Sequence, residues 1–566
     1  MINVASGKRF ESFPASKLFI YSLSFLFALL IFESVFLSHS EEISILKLHF
    51  ANGSYLKLAF LCLLSVFSLI LTFLFFYFSL ASPYKYRIIY FLIFSLAVCA
   101  EYNYQNAFQR FSLLEDFEIA LVAADFKIAT NSVLAYFNYL IIFPLTVYAF
   151  LLCMVKPSWD KGLKSLFICF ALVGGFFFLT SFFTRNTFYA DSFTAFNRTL
   201  ISFPVTWYVG SLKTPPRRML YYAKRDEIGF HSQNTSVNNV VFIVDESVRG
   251  DHLSLNGYER KTTPFIDELN QKGFIKNWGI AVSGTTCSLT SNFLMLTGLN
   301  NLPDQSFESY KMPTIFQYAK AMNYKTYYFD GQVSHFWNGK FSDISDYGIW
   351  TKPNDLNTTN RYENDAEIAR RVKEIINNST GNFIWITKFG MHPPYSNSYP
   401  ISEIVWSPVT GSDNYKDFYS KNATSETLKN SYDNAILYNS QSFFSTLFND
   451  GVSSTTIFVY TSDHGQTLSE HGEITSHCSN SFTEANVPLF IIANPKLMPD
   501  VDTNYLASHA NLFATLLDTM NFPEVERKYD YSISLFKAKK TDSQPRFYFA
   551  GDLNGLENGQ KYLYDK

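Results

Sequence analysis

Hydrophobic positions change their pattern about a third of the way along the 566-residue chain. In the first part apolar residues run on almost without polar interruption. Five stretches, about Leu18–Leu37, Leu56–Leu80, Ile88–Ala100, Val133–Val155 and Leu166–Phe183, are each long enough or nearly so to cross a bilayer core of roughly 30 Å. The third is short, and its helix is expected to continue through Glu101 and Tyr102. From about Asn238 onward the pattern is different. Short β-branched or aromatic runs such as Val240–Ile243, Thr326–Phe329, Phe383–Thr387, Thr455–Tyr460 and Val487–Ile492 alternate with helical patterns at Met312–Met322 and Ala366–Ile376. Strands alternating with helices predict an α/β domain with a mostly parallel central sheet and helices on both faces.

Charge refines the membrane reading. Lys8, Arg9 and Lys17 precede the first span, Lys85 and Arg87 separate the second from the third, and Lys156, Lys161 and Lys164 follow the fourth. The alternate loops are acidic, with Glu41 and Glu42 in one and Glu115, Asp116, Glu118 and Asp125 in the other. Basic residues stay on the cytoplasmic side, so the N-terminus is expected inside and everything beyond a fifth span outside. The expected organisation is a transmembrane domain over 1–184, a connector over 185–235 and an exported domain over 236–566. The connector carries Pro204, Pro215, Pro216, Arg217, Arg218, Lys224 and Arg225, which fits either membrane-surface helices or a linker packed on the domain. A net charge of -3 without a basic, aromatic-laced stripe argues against nucleic acid as a partner. The spans also lack the paired intramembrane charges of a transporter.

Candidate chemistry sits at the strand ends. The run Val240–Ile243 leads into Val244-Asp245-Glu246-Ser247, and Thr455–Tyr460 leads into Thr461-Ser462-Asp463-His464-Gly465. Open α/β sheets place their sites at the C-terminal ends of strands. Glu246, Asp463 and His464 together offer hard oxygen donors and an imidazole, which is half of a metal site. Between them lies Ser283-Gly284-Thr285-Thr286-Cys287-Ser288-Leu289-Thr290-Ser291-Asn292, a hydroxyl-rich turn entering a helix. Alone it reads as a helix N-cap. Beside two acidic strand ends it reads as a nucleophile loop, because a helix N-terminus favours a phosphoryl group and a neighbouring metal lowers a hydroxyl's pKa. Cys62, Cys99, Cys153 and Cys169 fall in or beside the spans; Cys287 and Cys478 lie in the exported part and read equally as a disulfide or as two buried thiols.

These motifs resemble the alkaline-phosphatase superfamily and, within it, the membrane-anchored phosphoethanolamine transferases that modify lipid A or lipooligosaccharide. The resemblance rests on Glu246-Ser247-Val248-Arg249-Gly250-Asp251-His252 with Ser254–Arg260, on Ser431-Tyr432-Asp433-Asn434-Ala435, on Ser462-Asp463-His464-Gly465 and on Ser508-His509-Ala510-Asn511-Leu512-Phe513. It implies a sulfatase-like domain following a membrane anchor along nearly the whole chain. It further implies one or two zinc ions held by Glu246, Asp463, His464 and the nucleophile. By the same resemblance His392 and His477 contact substrate or a second metal, with His477 one residue out of the usual spacing. Asn292 then faces the phosphoryl oxygens, or serves as a cap. His471 has no such support, and His252 is expected to be structural.

The nucleophile is the point of departure. The family pattern Cys-Gly-x-x-Thr would put it at Cys287, whereas counting back from Thr297-Gly298 puts it at Ser288, ten residues before the glycine. Ser288 keeps a hydroxyl and the helix length, so it is the preferred assignment, with Thr286, Thr285 and Cys287 as alternatives. Ser283 replaces the family's first cysteine, which removes one expected disulfide. The implied reaction moves phosphoethanolamine from phosphatidylethanolamine to lipid A, lipooligosaccharide or another envelope glycan, at the outer face of a bacterial inner membrane. A phosphoglycerol transferase, or a phosphate or sulfate ester hydrolase, of the same superfamily is the alternative.

Overall fold

The structure is a computed structural model that describes residues 14–36, 55–108, 139–158, 195–197, 199, 225–234, 238–299, 312–332, 348–351, 355–410, 424–470, 477–550 and 561–564. The predicted fifth span, the acidic loop at 115–125, most of the connector, Cys169 and His471 lie outside these residues. The chain forms two compact units, Met1–Asp125 with Tyr136–Pro215, and Phe126–Ala135 with Pro216–Lys566.

The first unit contains α1 (Ala15–Phe36), α2 (Tyr55–Ala81), α3 (Tyr84–Phe108) and α4 (Ile142–Met154). Their inner faces meet in an aromatic cluster of Phe25, Phe76, Phe94 and Tyr148, against which Phe196, from a later segment, also packs. Their outer faces leave Ile31, Val35, Leu63, Ile70, Leu92, Leu96 and Phe150 exposed. An apolar exterior of this kind is what a helix presents to lipid rather than to water. Among the described residues one helix, Ala15–Val35, is long and apolar enough to cross a membrane, and Ser65–Ala81 and Tyr139–Met154 are shorter apolar helices. The third predicted span does continue through Glu101 and Tyr102, both buried inside α3. Arg87, read from sequence as a loop charge, is buried and donates to the backbone carbonyls of Ser82 at 2.8 Å and Val155 at 2.7 Å. It therefore satisfies the open carbonyls where helices end.

The second unit is built on a seven-stranded sheet in the order β2-β7-β6-β1-β5-β3-β4. The strands are β1 (Asn239–Asp245), β2 (Ile275–Val282), β3 (Lys325–Asp330), β4 (Ile349–Thr351), β5 (Asn382–Thr387), β6 (Thr456–Ser462) and β7 (Asn486–Ala493). From β6 through β4 all neighbours are parallel, while β7 pairs antiparallel with both β6 and β2. The sheet is mostly parallel, and the antiparallel pairs at one side have no separate signal in the sequence. Every residue of β1 is buried, as a strand covered on both faces requires. Val240, Phe242 and Val244 face a core with Phe316, Trp385 and Leu512. Val241 and Ile243 face the opposite core with Ile368, Tyr432 and Phe443. Because β1 lies between β5 and β6 in parallel register, the segments after all three strands emerge along the same edge.

Candidate metal centre and nucleophile

β1 ends at Asp245 and the chain then turns sharply. Ser247 takes a left-handed backbone conformation, φ 58°, which a serine adopts only when its surroundings enforce it. That turn aims its N–H at Asp463 Oδ1, 3.0 Å away, and its hydroxyl at Glu246 Oε1, 2.7 Å away. The turn is clamped from above by Tyr432, whose hydroxyl donates to the Ser247 carbonyl at 2.6 Å and accepts from the Arg249 N–H at 2.8 Å. Tyr432 sits on α5 (Ser425–Phe448), so the mid-domain Ser431–Ala435 motif works as a brace on the first strand end. Neighbouring Asp433 accepts from Tyr258 and Arg260 and pairs with His252 Nδ1 at 2.7 Å. His252 thus belongs to this brace.

On the next strand, Asp463 follows β6 directly, and its Oδ1 also accepts the His464 N–H at 2.7 Å. Its other oxygen, Oδ2, is buried with no hydrogen-bond partner among the described residues. His464 is fixed through Nδ1, 2.6 Å from the Gly465 carbonyl, which leaves Nε2 directed inward. Nε2 lies 3.5 Å from Glu246 Oε1 and 3.6 Å from Asp463 Oδ2. The three donor atoms fall within 4.8 Å of one another, all buried. A bare carboxylate oxygen is costly to bury, so an unpartnered Asp463 Oδ2 facing an imidazole nitrogen and a second carboxylate is a donor set suited to a cation.

The electrostatics agree with that need. Burial raises the Asp463 carboxyl, and the Glu246 carboxylate beside it pushes it further, well above the usual carboxylate range. Burial also opposes ionisation of Glu246, yet His464, His392 and His477 together outweigh it and hold this carboxyl at about 2. Burial lowers His464. The group is thus short of positive charge.

Ser288 completes the cluster. It is the first residue of α6 (Ser288–Thr297), a helix closed by Gly298 in the left-handed conformation, φ 71°. Its hydroxyl stands 2.8 Å from His464 Nε2 and 3.4 Å from Glu246 Oε1, and the residue is half-buried rather than sealed. The alternative hydroxyls point elsewhere. Thr286 Oγ1 donates to the Ser479 carbonyl at 2.8 Å, and Thr285 Oγ1 donates to the Cys287 carbonyl at 3.2 Å. Cys287 is bonded to Cys478 in a disulfide, with Cα atoms 4.6 Å apart. Asn292 turns its amide back to the Ser288 carbonyl at 2.9 Å, as a local cap would.

His477 stacks on the His464 ring at 4.7 Å between centroids. His392 is half-buried, with Nδ1 2.8 Å from the Pro393 carbonyl and its ring stacked near Phe389.

Several residues here carried no sequence signal of their own. Gln332, just past β3, donates from Nε2 to Glu246 Oε2 at 2.8 Å and to the Lys388 carbonyl at 2.9 Å. It stands at a third strand end, which is the one cue that could have found it. Beneath the site, buried Lys388 pairs with Asp245 and also donates to Asn439. Asp365 accepts the N–H groups of Phe389 and Gly390, which lead into His392. Gly390 has φ +54°, and a Cβ there would collide with Asp245 Oδ1, so only glycine fits. His509, by contrast, belongs to the Ser508–Phe513 motif already quoted; it is buried beneath α6, with Nε2 3.1 Å from Thr461 Oγ1 and Nδ1 3.3 Å from Ser291 Oγ. Burial holds it neutral, down at about 3.

A mostly parallel α/β sheet carries an acidic and imidazole donor cluster at its strand ends, facing a hydroxyl at a helix start, an arrangement suited to a metal-assisted nucleophile. The chain belongs to the sulfatase family, whose model matches residues 238–522. It is 26% identical over 314 residues to the Kdo(2)-lipid A phosphoethanolamine 7''-transferase of Salmonella typhimurium, covering 54% of this chain and 51% of the relative. It is 24% identical over 337 residues to the phosphatidylethanolamine transferase Mcr-1 of Escherichia coli, covering 53% of this chain and 57% of the relative. The chain thus spans about half the length of the curated relatives it matches. The structure also resembles the integral membrane lipooligosaccharide phosphoethanolamine transferase A of Neisseria meningitidis, with a TM-score of 0.57 at 16% identity, over 89% of this chain and 95% of that one. At that identity the likeness concerns the fold. The resemblance seen in the motifs therefore extends along most of the chain as architecture, but as sequence over about half of it.

Proposed function

We propose that this protein is a membrane-anchored phosphoethanolamine transferase. On this reading it takes the headgroup of phosphatidylethanolamine and passes it to lipid A, lipooligosaccharide or another envelope glycan. Residues 1–184 form the anchor, 185–235 the connector and 236–566 the catalytic domain at the outer face of the inner membrane. The observation that carries this reading is the Ser288 hydroxyl, held 2.8 Å from His464 Nε2 and 3.4 Å from Glu246 Oε1 at the first turn of a helix.

Glu246, Asp463 and His464 would hold zinc, with Ser288 as the fourth donor. A zinc ion bound there supplies the positive charge that lowers a hydroxyl's pKa and polarises phosphoryl oxygens. The Ser288 oxygen attacks the donor phosphorus as the bond to the diacylglycerol oxygen breaks, the serine proton ending on the departing diacylglycerol hydroxyl and phosphoethanolamine remaining on Ser288. An acceptor phosphate or hydroxyl then attacks the same phosphorus and releases Ser288. The positive end of α6 favours the phosphoryl group throughout. His392 and His477 place two imidazoles around the centre to steady charge, toward the phosphoryl group or a second zinc. Apolar helix exteriors suit a reaction in which donor and leaving group are both lipids.

The test is intact mass and peptide mapping after incubation with phosphatidylethanolamine. A phosphoethanolamine adduct on Ser288, absent from Ser288→Ala, is the expected result. An adduct on Thr285 or Thr286 would reassign the nucleophile, and the absence of any adduct with zinc bound would overturn the donor.

A further inference from the structure

The one disulfide among the described residues joins two positions that each touch the reacting centre through their neighbour. Cys287 is the N-cap of α6 and immediately precedes Ser288. Cys478 immediately follows His477, whose ring stacks on His464. The bridge closes a separation of 191 residues. The same segments are sewn together twice more, by the Cys478 N–H on the Thr286 carbonyl at 2.8 Å and by Thr286 Oγ1 on the Ser479 carbonyl at 2.8 Å. Cys478 is held in the left-handed conformation, φ 68°. A residue with a Cβ keeps that conformation only where its surroundings hold it, and cutting the bridge removes one of those holds beside His477.

The metal donors do not share this dependence. Glu246 and Asp463 follow paired central strands, and the Asp463 N–H bonds the Asp245 carbonyl at 2.9 Å. Cutting the bridge therefore leaves Glu246 and Asp463 on their strands, while the tie between the Ser288 and His477 segments loses its covalent part and His477 loosens relative to Ser288.

We propose that the Cys287–Cys478 bridge is a positioning element of the transfer reaction, setting His477 against the Ser288–His464 pair, and that this is a role beyond stabilising the fold. The inference rests on the function proposed above, with Ser288 as nucleophile and His477 acting on the phosphoryl group. A bridge that served stability alone would lower the melting temperature and leave kcat of the folded protein unchanged.

The experiment is a double-mutant cycle on the full chain in detergent with zinc. It compares wild type, Cys287→Ser/Cys478→Ser, His477→Ala and the triple variant, with labelled phosphatidylethanolamine as donor. Each form is assayed for kcat, KM, zinc content and melting temperature, below the lowest melting point. Removing the bridge should lower kcat about tenfold, the scale of coupling between groups in contact. KM and zinc content should hold. In the His477→Ala background the same removal should change kcat little. An equal loss in both backgrounds, or no loss in either, overturns the proposal. Should the bridge variant fail to fold, the folded zinc-loaded wild type is reduced with a water-soluble trialkylphosphine. The phosphine gives two electrons, takes oxygen from water and leaves two thiols. A kcat loss that reoxidation reverses, with the circular dichroism unchanged, is then the expected result, and an unchanged kcat overturns the proposal. A wild type that forms no adduct on Ser288 overturns the function and this inference together, whereas an active wild type with an additive cycle overturns only the role of the bridge.

Discussion

The Ser288 hydroxyl lies 2.8 Å from Nε2 of His464, a residue 176 positions further along the chain. Neither residue reaches the other by local structure. Ser288 arrives at the start of a helix and His464 two residues beyond a central strand.

That contact makes the first expectation specific. Ser288→Ala should reduce release of labelled phosphoethanolamine by about a thousandfold or more, the scale of losing a nucleophile. A half-buried hydroxyl at a helix start contributes little packing, so stability should move by about 0.5 kcal/mol or less. Thr286→Ala should show the reverse. It loses the bond to the Ser479 carbonyl, costing about 1 kcal/mol, while the adduct still forms on Ser288.

Asp463→Asn separates stability from metal binding. Without a cation Glu246 and Asp463 are buried side by side and oppose each other's ionisation, so replacing Asp463 with a neutral amide removes that cost. The melting temperature of chelator-treated protein should rise, and the increase that zinc gives the wild type should disappear. Calorimetry with and without zinc reads both; a variant that still gains stability from zinc would refute the donor assignment.

His509 sets an acid limb. Its folded pKa, about 3, lies below the usual value near 6.5, so between those values the unfolded chain binds a proton that the folded one refuses. The penalty is absent above about pH 6.5 and grows as pH falls, by about 1.4 kcal/mol per unit across that window. His509→Gln should flatten the fall in unfolding free energy between pH 6.5 and 4. Parallel curves for variant and wild type would show that the imidazole does not carry the effect.

Lys388→Met should cost about 3–5 kcal/mol by leaving Asp245 charged and buried without its partner. Adding Asp245→Asn should recover a large part of that loss. Urea unfolding of the two variants and wild type gives both differences.

Five of the seven sheet strands were legible because buried strands are continuous apolar runs, and the runs at Val240–Ile243 and Thr455–Tyr460 each end two residues short of the strand they announce; β2, only half covered, and β4, three residues long, were not read. Glu246, Asp463 and His464 could be picked out because a charge just past such a run has few structural excuses. Gln332, Ser247 and His509 were not legible in the same way. Gln332 matters because β3 lies next to β5, Ser247 because of one left-handed torsion, and His509 because α6 covers it. None of these relations has a local pattern. The antiparallel direction of β7 was hidden for a related reason: a strand buried along its whole length reads alike in either orientation. Arg87 misled as a loop charge because its carbonyl partners come from helix ends far apart in sequence.

The strand order also governs when the centre can exist during synthesis. β1 lies between β5 and β6, so Glu246 leaves the ribosome with neither flanking strand yet made. Asp463 and His464 follow more than two hundred residues later, and the strand that pairs with the nucleophile loop, β8 (Arg546–Phe549), comes later still, the Phe549 carbonyl accepting from the Thr286 N–H. No nascent fragment ending before β6 carries the complete donor set. Any metal the site takes up is therefore loaded only once β6 has been made, and a polypeptide interrupted before Asp463 lacks two of the three donors.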